Sequence, residues 1–523
     1  MAEKMRLLPI IFIVTSVFGC GDGSHTTETG AGLEFEILSQ EGELPHWGPT
    51  SGAVYVDLDG DGMRDILLGR HDLAPEAYIN QGGCRFRRWP EWDSGLSVFD
   101  HHATVADYID GNESLDFYFV VGAHRGKGIG PNALYLNKTA ESNNIDQAAA
   151  LEVNDPFGRG RGGLVLDPDY DSLANLFVLN FRTAPRCFEF NEDRPTKDDV
   201  ESVLGIRKAD DHLVAEGTDR RRTEFITNLL PIDIAEDGWV DYVAIGGGLP
   251  LKVLRADSAS LSLDIPTLPF DAYMPAPVEV VQGDFDGDLH PDIVLLYGRD
   301  DRKSHFRAER QNRLLIWNDG HFVERPSPDL SLRGNGTHAA VADFDNSGAL
   351  DLAVCGSDGK LGHSWVRLFL NDGYGTLMST EAGDVPAVHL DGIADGILAE
   401  DLDYDGDIDL VVLLGAIDKK DPGGGVAVMR NLGARGHWIS FVFDGTFGAD
   451  VYGTIVTVRC GDRIQRRQYW PTQVGGSSYR ADLRFGVGDC RQVDEVILAW
   501  PNGQTSRLNS LAVDRTITVP FAQ

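Results

Sequence analysis

The residues of this sequence best placed to do chemistry are carboxylates on alternate positions of short loops. Asp401, Asp403, Asp405 and Asp409 stand at positions 1, 3, 5 and 9 of one nine-residue stretch. Asp57, Asp59, Asp61 and Asp65 repeat that spacing, and so do Asp284, Asp286, Asp288 and Asp292. Asp343, Asp345 and Asp351 follow it with Ser347 at the third ligand position. A hard cation such as Ca2+ takes roughly six to eight oxygens, so a tight loop with acids on alternate residues can wrap it. The acid at position 9 would close the shell from the start of the next strand. Asp-Gly pairs alone make hairpin turns, but clustered acids repel one another unless something neutralises them. An EF-hand needs a carboxylate at the twelfth position and flanking helices. Here that position holds Leu68, Leu295, Val354 or Val412, and β-branched runs follow.

Three further copies are degenerate. One holds Asp107, Asp110, Asn112 and Asp116, read with one extra residue between its first two acids. Another holds Asp167, Asp169 and Asp171 and ends in Asn175. A third, from Asp233 to Asp241, has Ala235 in place of the second acid, and its metal is in doubt. The loops together imply about four to six calcium ions. The first Asp of the seven copies falls at 57, 107, 167, 233, 284, 343 and 401. An apolar strand follows each copy, then in most a strand ending in an Asn turn, as at Asn80, Asn371 and Asn431. Four strands per repeat, arranged radially, describe propeller blades. The expected fold is all-β: a seven-bladed β-propeller followed by a small C-terminal β-domain. The seventh repeat lacks a fourth strand, and residues 33–37 are expected to supply it, which would hide sheet edges at the seam. Residues 182–224 read as an insertion, with a short helix after Thr196 as N-cap.

The net charge is −35 and the seven loops hold 25 aspartates. There is no basic footprint, so nucleic acid is not an expected partner. Hydrophobic residues make up 42%, which excludes a disordered acidic chain. Lys4 and Arg6 precede a short apolar run ending at Phe18, then Gly19 and Cys20. This is an export signal, too short to span a bilayer as a permanent helix. Its end resembles a bacterial lipobox, which would make Cys20 the lipidation site. Phe18 stands where a small residue is usual, so plain secretion is the alternative. Residues 1–19 are then the signal and 20–32 a flexible tether. A membrane is expected as a partner only through that lipid. Cys460 and Cys490 could pair in an oxidising compartment, whereas Cys84, Cys187 and Cys355 read as buried hydrophobes.

The Asp loops, their flanking strands and turns such as Leu370–Gly373 resemble FG-GAP/VCBS repeats, the units of integrin α-chain propellers, over residues 33–432. Residues 433–523 resemble an ASPIC/UnbV domain, carried by Gly453–Val458, Gly475–Tyr479, Asp482–Asp489 and Val496–Gly503. The combination resembles the cartilage acidic protein family. The resemblance implies structural calcium on the bottom face and a protein or glycan ligand on the opposite face. The expected function is a non-enzymatic binding or adhesion module. The alternative is an extracytoplasmic enzyme, carbohydrate-active or biosynthetic, using the propeller as scaffold.

Gly158–Gly163 fits GxGxxG but leads into a strand, not a helix, so it is no dinucleotide site. No other catalytic motif stands out, and no catalytic residue is assigned. His102 and His338 each lie five residues before a loop's first Asp. On an innermost strand they would face the central channel. A packed or solvated side chain is the ordinary reading of such histidines.

Overall fold

The computed structural model describes most of residues 24–521; the longest stretches outside that description are 123–130, 199–225, 263–276, 299–310, 381–387 and 416–423. The segment read as an export signal, Cys20 and Asp169 also lie outside it, as does most of residues 182–224. Among the described residues, helix is confined to single turns such as Pro90–Asp93 and Pro328–Ser331.

Each Asp loop joins the first two strands of one antiparallel sheet. The first sheet runs Thr50–Val56, Asp65–Arg70, Glu76–Asn80, Phe86–Arg88. The second holds His101–Asp107, Asp116–Val121 and Ala133–Tyr135. The third to sixth begin with Gly160–Leu166, Asn228–Ile232, Glu279–Gly283 and Gly336–Ala342. The seventh holds Ile393–Glu400, Asp409–Gly415 and Gly425–Asn431. Its fourth strand is Glu34–Leu38, paired antiparallel with Gly425–Asn431 from Phe35↔Asn431 to Leu38↔Val428. The N-terminal strand therefore closes the seam as expected. Ser24–Glu28 pairs onto Glu34–Leu38 in turn, so part of the segment read as a tether belongs to this sheet.

The second strands of the sheets are buried along their whole length, as in Asp65–Arg70, Asp292–Leu296 and Asp409–Gly415. Neighbouring sheets cover them on both faces, so their sequences are continuous apolar runs rather than alternating ones. Phe117, Phe119 and Tyr135 pack in this way between sheets with Val54, Leu67 and Trp92. The first strands line the centre and lie against one another, the seventh against the first.

Two expectations need correction. Thr196 does not cap a helix: Thr196–Asp198 is a short strand on Arg186–Phe190, whose edge offers unpaired backbone groups. The second Asp loop has no extra residue. In every other sheet the residue before position 1 pairs with position 9, as Val56 does with Asp65 and Glu400 with Asp409. In the second sheet it is Asp107 that pairs with Asp116. Position 1 is therefore Tyr108, and Asp107 is not a loop ligand.

The C-terminal domain is a small β-domain. Leu483–Gly488, His437–Asp444 and Arg515–Pro520 form one sheet, and Arg463–Gln468, Ile455–Cys460, Gln492–Ala499 and Thr505–Ala512 another. A disulfide joins Cys460 and Cys490 across a Cα–Cα distance of 6.4 Å, and Cys84, Cys187 and Cys355 are buried and form no disulfide. The hairpin Thr472–Val474 and Ser477–Tyr479 leaves the domain and enters the propeller centre. It pairs in parallel with the second sheet, Ser478 opposite Val105 and Tyr479 opposite Ala106.

Candidate metal loops and the domain docked on them

The acid at position 9 does two jobs in these loops. One Asp65 oxygen accepts the amide of Leu58 at 2.8 Å and the other that of Asn80 at 2.8 Å. Asp292 does the same with Phe285 and Trp317, Asp351 with Phe344 and Asn371, and Asp409 with Leu402 and Asn431. The fully buried carboxylate therefore ties its loop to the third strand before any metal is considered. Apart from Asp409 Oδ2, which also accepts the Cys84 thiol, each of these carboxylate oxygens has a second lone pair left for a cation.

The remaining acids converge. Asp57, Asp59 and Asp61 bring carboxylate oxygens within 4.8 Å of one another, as do Asp284, Asp286 and Asp292, and Asp343, Asp345 and Asp351. Position 1 is held by loop amides: Asp57 accepts from Gly60 and Gly62, and Asp284 from Gly287 and Leu289. Position 4 must turn left-handed, with φ of 78° at Gly60 and 76° at Gly287, and Asn346 and Tyr404 take the same turn. Asp288 accepts the amide of His290, and the amide of Ala349 donates to Ser347 Oγ. Among the weaker candidates, Asp110 accepts the amide of Asn112, Asp167 that of Asp171, and Asp116 holds Ile109 and Asn137.

Burial, then the neighbouring aspartates, push these groups toward their protonated forms. Asp284 rises to about 6, Asp65 and Asp343 to about 7, and Asp292 to about 8, while Asp351 and Asp409 rise well above the ordinary carboxylate range. Three buried oxygens, Oδ1 of Asp343, Asp401 and Asp403, have no hydrogen-bond partner. Buried acceptors of this kind are costly unless a cation or proton meets them. The donor set is all oxygen and mostly anionic, which fits Ca2+.

Cationic residues missed at the sequence level reach the same loops. Arg484 donates to Asp401 Oδ2 at 2.9 Å and lies over the Trp438 ring at 3.9 Å. Arg430 forms an ion pair with Asp403 at 2.8 Å and comes within 3.8 Å of Asp405. Arg467 lies 4.0 Å from Asp343, and Arg463 donates to the carbonyl of Ser347. Gln468 exchanges two hydrogen bonds with the backbone of Asp233. Arg64, in the first loop, pairs with Asp482. Asp107 accepts the Tyr452 hydroxyl at 2.5 Å. Except for Arg430, each of these contacts joins the C-terminal domain to the Asp-loop side of the propeller. The alternation Arg463, Gln465, Arg467 on one strand was the available signal, since period-two residues share a strand face.

The hairpin seals the centre from the same side. Gln473 donates to the Leu229 carbonyl at 2.8 Å, the amide of Gly163 to Gly476 at 3.1 Å, and the amide of Thr104 to Ser477 Oγ at 2.9 Å. A cavity of about 530 Å3 remains between the hairpin and the fourth to seventh sheets, bordered by Gln282, Glu279, Glu400, Arg467 and Trp470.

Residues 284–354 match the model of the FG-GAP-like repeat, and residues 447–523 match that of ASPIC and UnbV. The chain thus joins a segment that matches the FG-GAP-like repeat to one that matches ASPIC and UnbV. Cartilage acidic protein 1 of Xenopus tropicalis is 26% identical over 336 residues, covering 59% of this chain and 48% of that relative. The match thus spans about half the length of the relative. Among solved structures, the Cps50 (Swd1) β-propeller domain of Myceliophteria thermophila aligns at TM-score 0.36 and 11% identity, over 78% of this chain and 99% of its own. The V. cholerae biofilm matrix protein Bap1 aligns at TM-score 0.30 and 12% identity, over 90% of this chain and 60% of its own.

The FG-GAP-like match begins at Asp284, position 1 of the fifth loop, and runs through the sixth loop. The ASPIC/UnbV match contains the hairpin, Arg463 and Arg467, which dock on the sixth loop, and Arg484, which docks on the seventh.

Proposed function

We propose that this chain is an exported, calcium-stabilised β-propeller that binds a protein or glycan ligand on the face opposite its Asp loops. Export rests on Lys4, Arg6 and the apolar run to Phe18, and the anchor on lipid at Cys20. Among the described residues no helix is long and apolar enough to cross a membrane.

The observation that carries the ligand face is the docked C-terminal domain. Arg484, Arg467 and Gln468 occupy the Asp-loop side, and the hairpin fills the channel from there, its tip at Gly475 and Gly476 reaching the Asp395 and Arg161 carbonyls. The opposite mouth keeps a set of polar groups on the starts of the first strands. Calcium in the loops is structural in this reading, because position 9 already fastens strands and the other acids lie under the docked domain or at the disc edge. A calcium-fastened repeat propeller suits a binding module, in line with the FG-GAP-like repeats and the likeness to cartilage acidic protein 1.

The cavity does not favour the enzyme alternative. Its acids outside the loops are Glu279, Glu400, Asp482, which pairs with Arg64, and Asp514, which pairs with His437. Glu279 begins its strand and Glu400 ends its own at the Asp loop, so they stand at opposite ends of the channel. Glu279 accepts from His338, and Glu400 from the Tyr479 hydroxyl at 2.8 Å. The test is a glycan and protein binding screen on the purified full chain, repeated with His338→Ala and with Arg463→Ala. A ligand lost with the first variant and kept with the second supports the reading. The reverse pattern would overturn the choice of face, and turnover of a bound glycan would overturn the non-enzymatic role.

A further inference from the structure

The first strands of the sheets share a defect that the Asp pattern does not reveal. In the second sheet His101 pairs with Val121 and Ala103 with Val120, so His102 is an extra, unpaired residue. The same bulge leaves out Arg161 in the third sheet, Thr337 in the sixth and Asp395 in the seventh. A bulge re-aims its extra side chain, and such sites gather where a sheet must present a group to a ligand. These four lie at the ends of the first strands away from the Asp loops. His338, alike in spacing to His102, is the paired residue after the bulge and bonds Glu279 instead.

His102 meets two groups at this mouth. His71 follows the second strand of the first sheet, and Asp100 precedes His101. His71 Nδ1 lies 3.2 Å from Asp100 Oδ1, and His102 Nε2 lies 3.6 Å from the same oxygen. The two imidazole rings have centroids 4.9 Å apart. Asp100 Oδ1 and His102 Nε2 are buried and without a hydrogen-bond partner. At 3.6 Å their separation is too long for a hydrogen bond. Donors bound at roughly 2.0–2.1 Å to one tetrahedral ion stand about 3.3 Å apart, and the observed pair of distances brackets that value. Asp395 and Arg161, of opposite charge, lie within electrostatic reach.

We propose that His71, Asp100 and His102 form a transition-metal site at the channel mouth, with Zn2+ as the fitting ion. Two imidazoles and one carboxylate suit a borderline cation rather than Ca2+. Three protein ligands leave a fourth position open. His71 is about one-third exposed, so that position faces solvent, and an anionic oxygen of an incoming ligand could take it. The site is built from two sheets, so the ion would also clamp the first sheet to the second. It lies roughly 20 Å from the Asp loops, the length of the six-residue strand between them.

The full chain, stripped of metal and then saturated with Ca2+, is titrated with Zn2+ by calorimetry and with Co2+ by visible absorption. One equivalent of Zn2+ is expected to bind, and Co2+ to show the intense d–d bands of a four-coordinate site. His71→Ala and Asp100→Asn each weaken the Zn2+ affinity more than about a hundredfold, beyond the effect of losing an outer-shell partner. His71 is partly exposed, so its variant keeps the calcium-dependent melting of the parent. Absence of a stoichiometric Zn2+ site in the parent overturns the proposal. So does Zn2+ binding that survives in both variants, which would move the ion to other residues. Either failure leaves the calcium-loop reading untouched, because the loops are calcium-filled throughout.

Discussion

The side-chain amide of Asn80 donates to the carbonyl of Leu402 at 2.9 Å, joining the first sheet to the loop of the seventh. The same bond links Asn371 to Phe285 at 2.8 Å and Asn431 to Phe344 at 2.9 Å, each time reaching position 2 of the preceding sheet's loop. The seam between the ends of the repeat array therefore carries the same fastening as the interior joints. Asn80 and Leu402 are both fully buried. Asn80→Ala removes the donor and strands a buried carbonyl, at a cost of about 1–3 kcal/mol. The expected outcome in denaturant unfolding is a loss of that size for Asn80→Ala, similar to that for Asn371→Ala. A seam variant costing nothing while the interior variant costs its share would show that the ring is not closed there.

Metal and proton compete for the same carboxylates, which fixes the sign of the pH dependence. Asp284, Asp65, Asp343 and Asp292 rise from an ordinary 3.8 to about 6, 7, 7 and 8 in the metal-free fold. The folded state then holds more protons than the unfolded state between about pH 4 and pH 8. Their stabilisation of the metal-free chain is present in full below the unfolded pKa and is lost as pH rises through those values. Calcium needs the ionised form, so its effect grows over the same window. The melting temperature without calcium should fall from about pH 5 to about pH 8, and the rise on adding calcium should be larger at the higher pH. At a hundredfold excess over Kd each site adds about 2.7 kcal/mol. A calcium shift that is absent at both pH values would reject structural calcium.

The repeat was legible because its marks are local. An acid at position 9 must be buried to hold two backbone amides, and the apolar run after it must fill a sheet covered on both faces. Glu34–Leu38 was legible for a different reason: the seventh repeat lacked a strand, and the N-terminus had one to spare. The start of the second loop was not, since spacing alone made Asp107 look like position 1. Only the pairing of Asp107 with Asp116 shows that Tyr108 holds that place. His71 and Asp100 were invisible because they share no motif with His102. A bulge and a strand end bring them together, and neither leaves a mark in residue types. The docking of Arg484 on Asp401 spans 83 positions along the chain, and no local pattern announces it.

The disulfide makes a separate prediction about the C-terminal domain. Cys460 and Cys490 close a loop with a sequence separation of 30. In the chain-entropy account a loop of that length stabilises by about 3–4 kcal/mol. Replacing both cysteines by Ser should cost that much in the unfolding of this domain. Urea titration followed by tryptophan fluorescence would check it, through Trp438, Trp470 and Trp500. Indistinguishable midpoints with and without the bond would rule out a stabilising role.

Gly476 is the position at which the two parts of the molecule can be separated by one change. Its φ is 86°, and a Cβ there would stand 2.2 Å from the Arg161 carbonyl, with the Gly162 backbone close behind. Backbone cannot give way as a flexible side-chain end can, so Gly476→Val should keep the hairpin from seating in the channel. The sheets of the C-terminal domain do not use this residue and should remain folded. The contacts of Arg484 and Arg467 with the loops would then have to hold the domain without the plug, and the desolvation of such largely buried pairs offsets much of their attraction. The expected outcome is two separate melting transitions in place of one, with at least a tenfold faster proteolytic release of the domain (about 1.4 kcal/mol in the docking equilibrium). Gly503→Val is the control: its φ is 80°, but nothing stands near its Cβ, so it bears the backbone strain without the clash. Equal protease rates for the two variants would mean that the hairpin does not hold the domain in place.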